Sequence, residues 1–162
     1  MAFFRIIIPN YNNEQWLDKC LGSIKKQTFG NYGVAIVDDC STDNSKRIIK
    51  SYCDDDSRFL LIYAPKKLWN GGSRNLGAEY YVGSEYTLYL DSDDWFADEN
   101  VLQDLYNFII KLGKPDCIRL PYQFEYDIVK KGQVPLNDDT PEKLVRSCFV
   151  ACWTKCIKTK LI

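Results

Sequence analysis

The sequence contains no histidine, and that absence narrows the chemistry before any motif is considered. A general base must be a carboxylate or, failing that, a lysine, tyrosine or cysteine, and a metal site must rest on oxygen or sulfur. Apolar runs are short. The opening segment 1–8 is too brief for a signal peptide or a membrane span and lacks a cleavage pattern, so a cytoplasmic protein without a transmembrane segment is expected. Charge of either sign is not in excess: 21 basic residues face 22 acidic ones, which leaves no global field to recruit nucleic acid or an acidic membrane surface. Seven cysteines form no even set and are scattered through core-like segments, which points to reduced thiols rather than a disulfide framework. Cys148, Cys152 and Cys156 recur every four residues, but no second pair with zinc-like spacing accompanies them, so they read as small buried residues on one face. No internal repeat, low-complexity tract or linker is visible, and 162 residues suit a single domain.

What is present is aromatic and β-branched. Eleven Tyr and four Trp supply either a core or a ligand-stacking surface. The chain is organised around Tyr86-Thr87-Leu88-Tyr89-Leu90-Asp91-Ser92-Asp93-Asp94-Trp95. Its first half reads as a strand buried on both faces, and the carboxyl end of such a strand is where an open α/β sheet places ligands. The three carboxylates that follow repel one another, which raises pKa values or demands a cation, and their hard oxygens suit Mg2+ or Mn2+. Residues 4–8 form a first strand, stopped by Pro9. Asn12 with Gln15 is a capping-box variant that opens a helix to about residue 27, with Trp16, Leu17, Cys20, Leu21 and Ile24 on one face. Residues 34–37 form a second strand ending in Asp38-Asp39, and residues 59–63 a third; between them Ile48, Ile49, Tyr52 and Cys53 mark a helix. Residues 64–71 read as loop and 72–81 as a short helix, and Asp98 caps a helix carrying Val101, Leu102, Leu105, Tyr106, Ile109 and Leu112. This alternation predicts an α/β fold, a mostly parallel central sheet with helices on both faces. Beyond Pro115 a strand is expected over 117–126, paired with 128–134, and then a helix opening at Thr140-Pro141.

Three polar sites fall at the carboxyl ends of predicted strands: Pro9-Asn10-Tyr11-Asn12, Asp38-Asp39, and Asp91-Ser92-Asp93-Asp94. In a parallel sheet these ends share an edge, so the groups converge on one crevice. There the ring of Tyr11 can stack on a base and Asp39 can accept from a base N–H. The acids after Leu90 can hold a metal against a diphosphate, and Arg74 can pair with that phosphate or with the acids. Asp38 reads as a turn or cap residue, and Asp94 as either a metal ligand or a helix-entry acid.

Four motifs in order, Ile6-Ile7-Ile8-Pro9-Asn10-Tyr11-Asn12, Val37-Asp38-Asp39-Cys40-Ser41-Thr42-Asp43, Asn70-Gly71-Gly72-Ser73-Arg74-Asn75-Leu76-Gly77 and Leu90-Asp91-Ser92-Asp93-Asp94-Trp95, resemble the set found in family 2 glycosyltransferases with the GT-A (Rossmann-like) fold. The likeness covers 4–100, with a weaker echo in Ala151-Cys152-Trp153-Thr154-Lys155. It implies one nucleotide-sugar-binding domain over 1–162, with the donor half at 1–100 and a remnant of the acceptor half at 101–162. It further implies metal-dependent, inverting transfer of a sugar from a UDP-sugar to an acceptor hydroxyl. By resemblance Pro9, Tyr11, Asn12, Asp39, Arg74, Asp91 and Ser92 would bind the donor. Tyr11 and Asp39 would meet the uracil, and Arg74 would sit by the nucleotide pocket. Asp91 would approach ribose and diphosphate, and Asp91 and Asp93 would hold Mn2+ or Mg2+, Asp93 as the main ligand.

The chain also departs from that pattern. Its glycine-rich stretch is shorter than the family's Asn-x-Gly-x-x-x-Ala-Arg-Asn arrangement. Inverting members carry an acidic base downstream of the Trp-x-Lys segment, and this sequence reaches Ile162 about where that region begins. No catalytic residue is therefore assigned: Glu125 remains, and Asp138 and Asp139 read first as a helix-entry turn. A domain that binds or slowly hydrolyses a UDP-sugar stays open as an alternative. An aspartate phosphoacceptor of receiver type would place its acidic pair after the first strand rather than the second. A phosphatase-type nucleophile would want a small residue where Trp95 stands. A short domain with exposed apolar surface is also expected to favour self-association.

Overall fold

The computed structural model describes residues 1–80, 83–120 and 155–161. Strands β1 (Ala2–Asn10), β2 (Tyr32–Asp38), β3 (Phe59–Tyr63), β4 (Ser84–Tyr89), β5 (Cys117–Arg119) and β6 (Lys155–Lys158) form one sheet in the order β3-β2-β1-β4-β6-β5. The first four run parallel, while β6 is antiparallel to both β4 and β5. The expected mostly parallel α/β sheet is thus observed. Helices α1 (Glu14–Lys25), α2 (Ser45–Asp55), α3 (Trp69–Tyr80) and α4 (Val101–Lys111) fill the connections.

Side-chain alternation along the strands decides which helix goes where. On β1, Phe4, Ile6 and Ile8 join Val34 and Ile36 of β2 and Tyr86 and Leu88 of β4 in one core, sealed by Leu17, Leu21 and Ile24 of α1, Ile49 of α2 and Leu102 and Ile109 of α4. Phe3, Phe4, Phe29, Tyr86 and Tyr106 mesh at its base, with the Phe3–Phe4 and Phe3–Tyr106 rings edge-on at 4.8 Å. The alternate residues face the other way. Ala35 and Val37 pack with Ile62, Ala64, Leu68 and Leu76 beneath α3. Helices therefore cover both faces. The chain runs β1, β2, β3 outward, then returns across β1 to lay down β4, and a right-handed crossover in the reversed direction places α3 on the opposite face from α1 and α2. The reversal leaves a crevice between the carboxyl ends of β1 and β4, the switch point at which open α/β sheets bind ligands.

The α3 face also buries a charge. Arg5, 3% exposed, donates from Nε to Thr87 Oγ1 at 2.6 Å and from Nη1 to the carbonyl of Ala78 at 2.9 Å. The second bond sets a cation at the carboxyl end of α3, where the helix dipole favours it. Burial pulls the pKa of Arg5 down, and Tyr89 opposes that shift.

Several local expectations need correction. Pro9 does not stop the first strand; it pairs with Val37 inside β1. The carbonyl of Ile7 faces β4, accepting from Leu90 N, and Pro9 shares that orientation where β4 has already ended, so its missing N–H costs no ladder bond. The capping box is also absent. Asn13 is the N-cap of α1 and makes no side-chain cap bond, while Asn12 lies outside the helix with φ +48°. Asn100, rather than Asp98, is the N-cap of α4; Asp98 Oδ1 instead accepts from Asn100 N at 2.8 Å. Helix α3 begins at Trp69, three residues earlier than its glycines suggest. Cys156 is buried, but in strand β6, so the four-residue cysteine spacing marks no helical face there. Of the strand expected over 117–126, β5 covers Cys117–Arg119, residues 121–126 lie outside the described ones, and the pairing of β5 among the described residues is with β6. Residues 128–134, the helix opening at Thr140-Pro141, Glu125, Asp138, Asp139, Cys148, Cys152 and Trp153 lie outside the described residues.

Candidate functional site

The carboxyl ends of β1, β2 and β4 carry the polar groups that the sequence singles out, and a continuous run of contacts joins them. Asp38, 1% exposed, is structural: it accepts from Asn10 Nδ2 at 3.3 Å and from Ser41 N at 3.2 Å. These bonds tie the end of β1 to the turn after β2. Ser41 Oγ in turn accepts from Asn12 N at 3.0 Å, and Asn12 Oδ1 accepts from Thr42 N at 2.7 Å. Asn12 thus reads as a clasp between two loops. Pro9 is buried beneath it.

Asp39 is 3% exposed and is held by three donors. Its oxygens accept from Leu68 N at 2.6 Å and Trp69 N at 2.9 Å, and Lys67 Nζ lies 3.2 Å from Oδ2. A carboxylate from the end of β2 therefore caps the amino end of α3, satisfying amides that the helix itself leaves open. This long-range cap explains why α3 starts where no local signal marks it. Lys67 reaches further, its Nζ 2.7 Å from the ring centroid of Tyr11 and 5.4 Å from that of Trp69. Tyr11 itself is 47% exposed.

On the other side of the crevice Arg74, from the second turn of α3, forms an ion pair through Nη2 with Asp91 Oδ1. Arg74 Nε and the hydroxyl of Ser73 are buried without a partner among the described residues, as is Asn10 Oδ1. Ser92, 5% exposed, accepts from Asn13 Nδ2 at 2.8 Å, which fastens the acidic loop to the start of α1. Asp93 is exposed and has no cation partner among the described residues. Asp94 is half-buried, and burial, then Asp93, then Asp91 push its carboxyl up to about 6. The same acids lie over Cys20, whose thiol donates to the Asp91 carbonyl at 3.7 Å. Burial first, and those carboxylates second, drive that thiol's pKa far up and keep it neutral. Trp95 turns away from the rim to stack on Trp16 at 6.3 Å, beside an open groove of about 300 Å3 along α1 that contains none of the donor-site candidates.

The raised Asp94 carboxyl has a consequence for stability. Between about pH 4, where a free aspartate ionises, and about 6, the folded chain keeps this proton and the unfolded chain loses it. The group therefore favours the folded state at low pH, and that advantage is lost as pH rises through the window. Asp94→Asn is expected to flatten this part of the Tm–pH profile and to raise Tm at pH 7. An unchanged slope in the variant would assign the titration elsewhere.

The glycine motif also takes a different register from the one its glycines suggest. Counted back from Arg74-Asn75, the family's Asn-x-Gly-x-x-x-Ala-Arg-Asn spacing puts its Asn on Lys67, its Gly on Trp69 and its Ala on Ser73. Trp69 has φ +61°, a left-handed backbone that glycine adopts freely and a tryptophan does not. The stretch is of full length, with substitutions, and Asn70-Gly71-Gly72 lies within the first turn of α3. Lys67 and Trp69 were not among the residues chosen from sequence; the spacing back from Arg74 is the signal that finds them.

The family model described as glycosyl transferase family 2 matches residues 5–149. The chain belongs to this family. An uncharacterized glycosyltransferase of Haemophilus influenzae is 35% identical to it over 111 residues, covering 68% of this chain and 44% of that protein. The Escherichia coli enzyme WfgD, a UDP-Glc:alpha-D-GlcNAc-diphosphoundecaprenol beta-1,3-glucosyltransferase, is 28% identical over 163 residues, covering 97% of this chain and 60% of that one. The crystal structure of Staphylococcus aureus TarS 1–349 in complex with UDP-GlcNAc superposes with a TM-score of 0.81 at 25% identity, over 99% of this chain and 46% of that chain. The family 2 chain described here thus has the GT-A fold and spans roughly half the length of these relatives. Among its described residues no helix is long and apolar enough to cross a membrane.

Proposed function

We propose that this family 2 domain binds a UDP-sugar at the β1–β4 crevice and transfers the sugar, with inversion, to an acceptor hydroxyl. The observation that carries this reading is a pair of contact runs at the carboxyl ends of the parallel strands, one from Tyr11 through Lys67 to Asp39 and the other from Arg74 to Asp91. Tyr11 offers a face to the uracil. Asp39 has lone-pair capacity beyond its present bonds with which to accept the imide N–H. Arg74, already beside Asp91, is positioned to share its guanidinium with the diphosphate. Residues 1–100 carry these donor functions, and the acceptor hydroxyl is met by residues from 101 onward. The UDP-GlcNAc complex of TarS supports a UDP-sugar as donor.

The acidic loop fits a divalent cation by the chemistry of its donors. All are hard oxygens; Asp93 is exposed, and the Asp94 carboxyl is pushed up by burial first and by Asp93 and Asp91 after it. Among the described residues no three His, Cys, Asp or Glu side chains form a ready-made cage. Mg2+ or Mn2+ does not require one, since such an ion takes one or two carboxylates and completes its shell with substrate phosphates. Asp93, with the Asp91 oxygen not paired to Arg74, would hold it. When bound, such an ion supplies charge neutralisation at the leaving diphosphate. The protein's own part is to orient the donor, with Asn13–Ser92 and Arg74–Asp91 fixing the loop against α1 and α3.

Calorimetry with UDP, with and without Mn2+, on wild type and Asp93→Ala tests this reading. UDP binding that is Mn2+-dependent and weakened at least about tenfold in the variant is expected. Equal affinity in all four titrations would remove the metal from the account.

A further inference from the structure

We propose that Trp69 is a second stacking wall for the donor's base, opposite Tyr11, in a slot that the ammonium of Lys67 fills until the nucleotide enters. The inference rests on the reading of Tyr11 as the base platform and goes beyond it. Lys67 Nζ lies over both rings, 2.7 Å from one centroid and 5.4 Å from the other, so the two centroids are at most 8.1 Å apart. A planar ring held between two others needs two contact gaps, about 7–8 Å in all. The two rings are therefore near enough to each other to flank one base.

Trp69 is an unusual residue to find at this position. It is 73% exposed, and its backbone is left-handed at φ +61°, so a bulky side chain gains little burial there and is disfavoured by its own backbone. Such an outlier beside a ligand crevice points to a role for the ring itself. Its height is set by the group proposed to read the base edge, because Asp39 accepts from Trp69 N at 2.9 Å and from Leu68 N at 2.6 Å. Stacking and edge recognition are thereby built on one carboxylate.

Lys67 makes the contacts that a base would make. Its ammonium faces Tyr11 and Trp69 and lies 3.2 Å from Asp39 Oδ2. A base entering the slot must displace it, so the ammonium acts as an internal competitor and lowers the apparent affinity.

The test is titration of the purified full chain with UDP and, as a base-free probe, with pyrophosphate, both in the presence of Mn2+. Trp69→Gly, which suits the left-handed backbone, is expected to bind UDP at least about tenfold more weakly, the range of a lost base–aromatic stack. Its pyrophosphate affinity and Tm are expected to stay at or above wild type. Trp69→Asn, also tolerant of this backbone, is expected to behave alike and serves if the glycine variant does not fold. Lys67→Met is expected to bind UDP several-fold more tightly than wild type. Wild-type affinity for UDP in Trp69→Gly or Trp69→Asn overturns the second wall and leaves the donor reading standing. Unchanged or weaker UDP binding by Lys67→Met overturns the competitor. A wild-type chain that binds no UDP at all overturns the donor reading and this inference together.

Discussion

Replacing Asp39 with alanine is expected to lower stability by about 3 kcal/mol and to abolish UDP binding in the same step. The carboxylate is 3% exposed and holds two amides at the start of α3 together with the ammonium of Lys67. Removing it leaves these donors without an acceptor in a site too buried for water to replace every bond. For a chain of this size the loss corresponds to roughly 6–12 °C in Tm. Asp39→Asn keeps one acceptor oxygen and is expected to recover part of the stability without restoring the pairing to Lys67. Thermal denaturation followed by a UDP titration checks both effects. An alanine variant that melts with the wild type would show that α3 does not depend on this cap.

Gly77→Val is expected to be as damaging, through packing alone. A Cβ at Gly77 would stand 2.7 Å from Ile7 Cγ2 and 3.2 Å from Val37 Cγ2. Both neighbours are β-branched side chains rooted in the sheet, with little freedom at χ1 to yield. Alanine would recover about 1 kcal/mol of helix propensity against an overpacking cost of about 1–3 kcal/mol. Valine adds two further methyl groups to the same contact, and a loss of at least about 3 kcal/mol is expected. The helix forced outward carries Trp69 and Arg74, so UDP affinity should fall with stability. A valine variant with wild-type Tm would mean that α3 is not seated on Ile7 and Val37 as described.

Both predictions concern α3, the element least legible in the sequence. Its amino end is defined by a carboxylate some thirty positions earlier, and no window of local residues contains that information. The run 59–63 could be read because its apolar residues sit between turn-forming neighbours, and it matches β3 (Phe59–Tyr63). The buried face of α1 was legible from spacing, with Leu17, Cys20, Leu21 and Ile24 all buried, whereas Trp16 instead stacks on Trp95. Asn12 misled because an amide that could cap its own helix bonds instead to Thr42, across the gap between two strands. Strand β6 was missed because Lys155–Lys158 carries too little apolar pattern to be read alone and becomes a strand by pairing with β4 and β5.

Strand-end chemistry needs no tertiary structure to be seen: continuous apolar runs alternating with helical segments point to a parallel sheet, and the side chains placed just past each strand must then share an edge. By itself the sequence therefore determined the family-like order of motifs and the rim on which Tyr11, Asp39, Arg74 and Asp91 gather. Tertiary structure alone decided what those groups touch. Asp39 serves as a helix cap, Lys67 lies across Tyr11, and Trp69 stands in a glycine's backbone. The physical reason is range: strand periodicity is a local property of the chain, whereas the partner of a buried charge is whichever donor the folded chain brings within hydrogen-bonding distance.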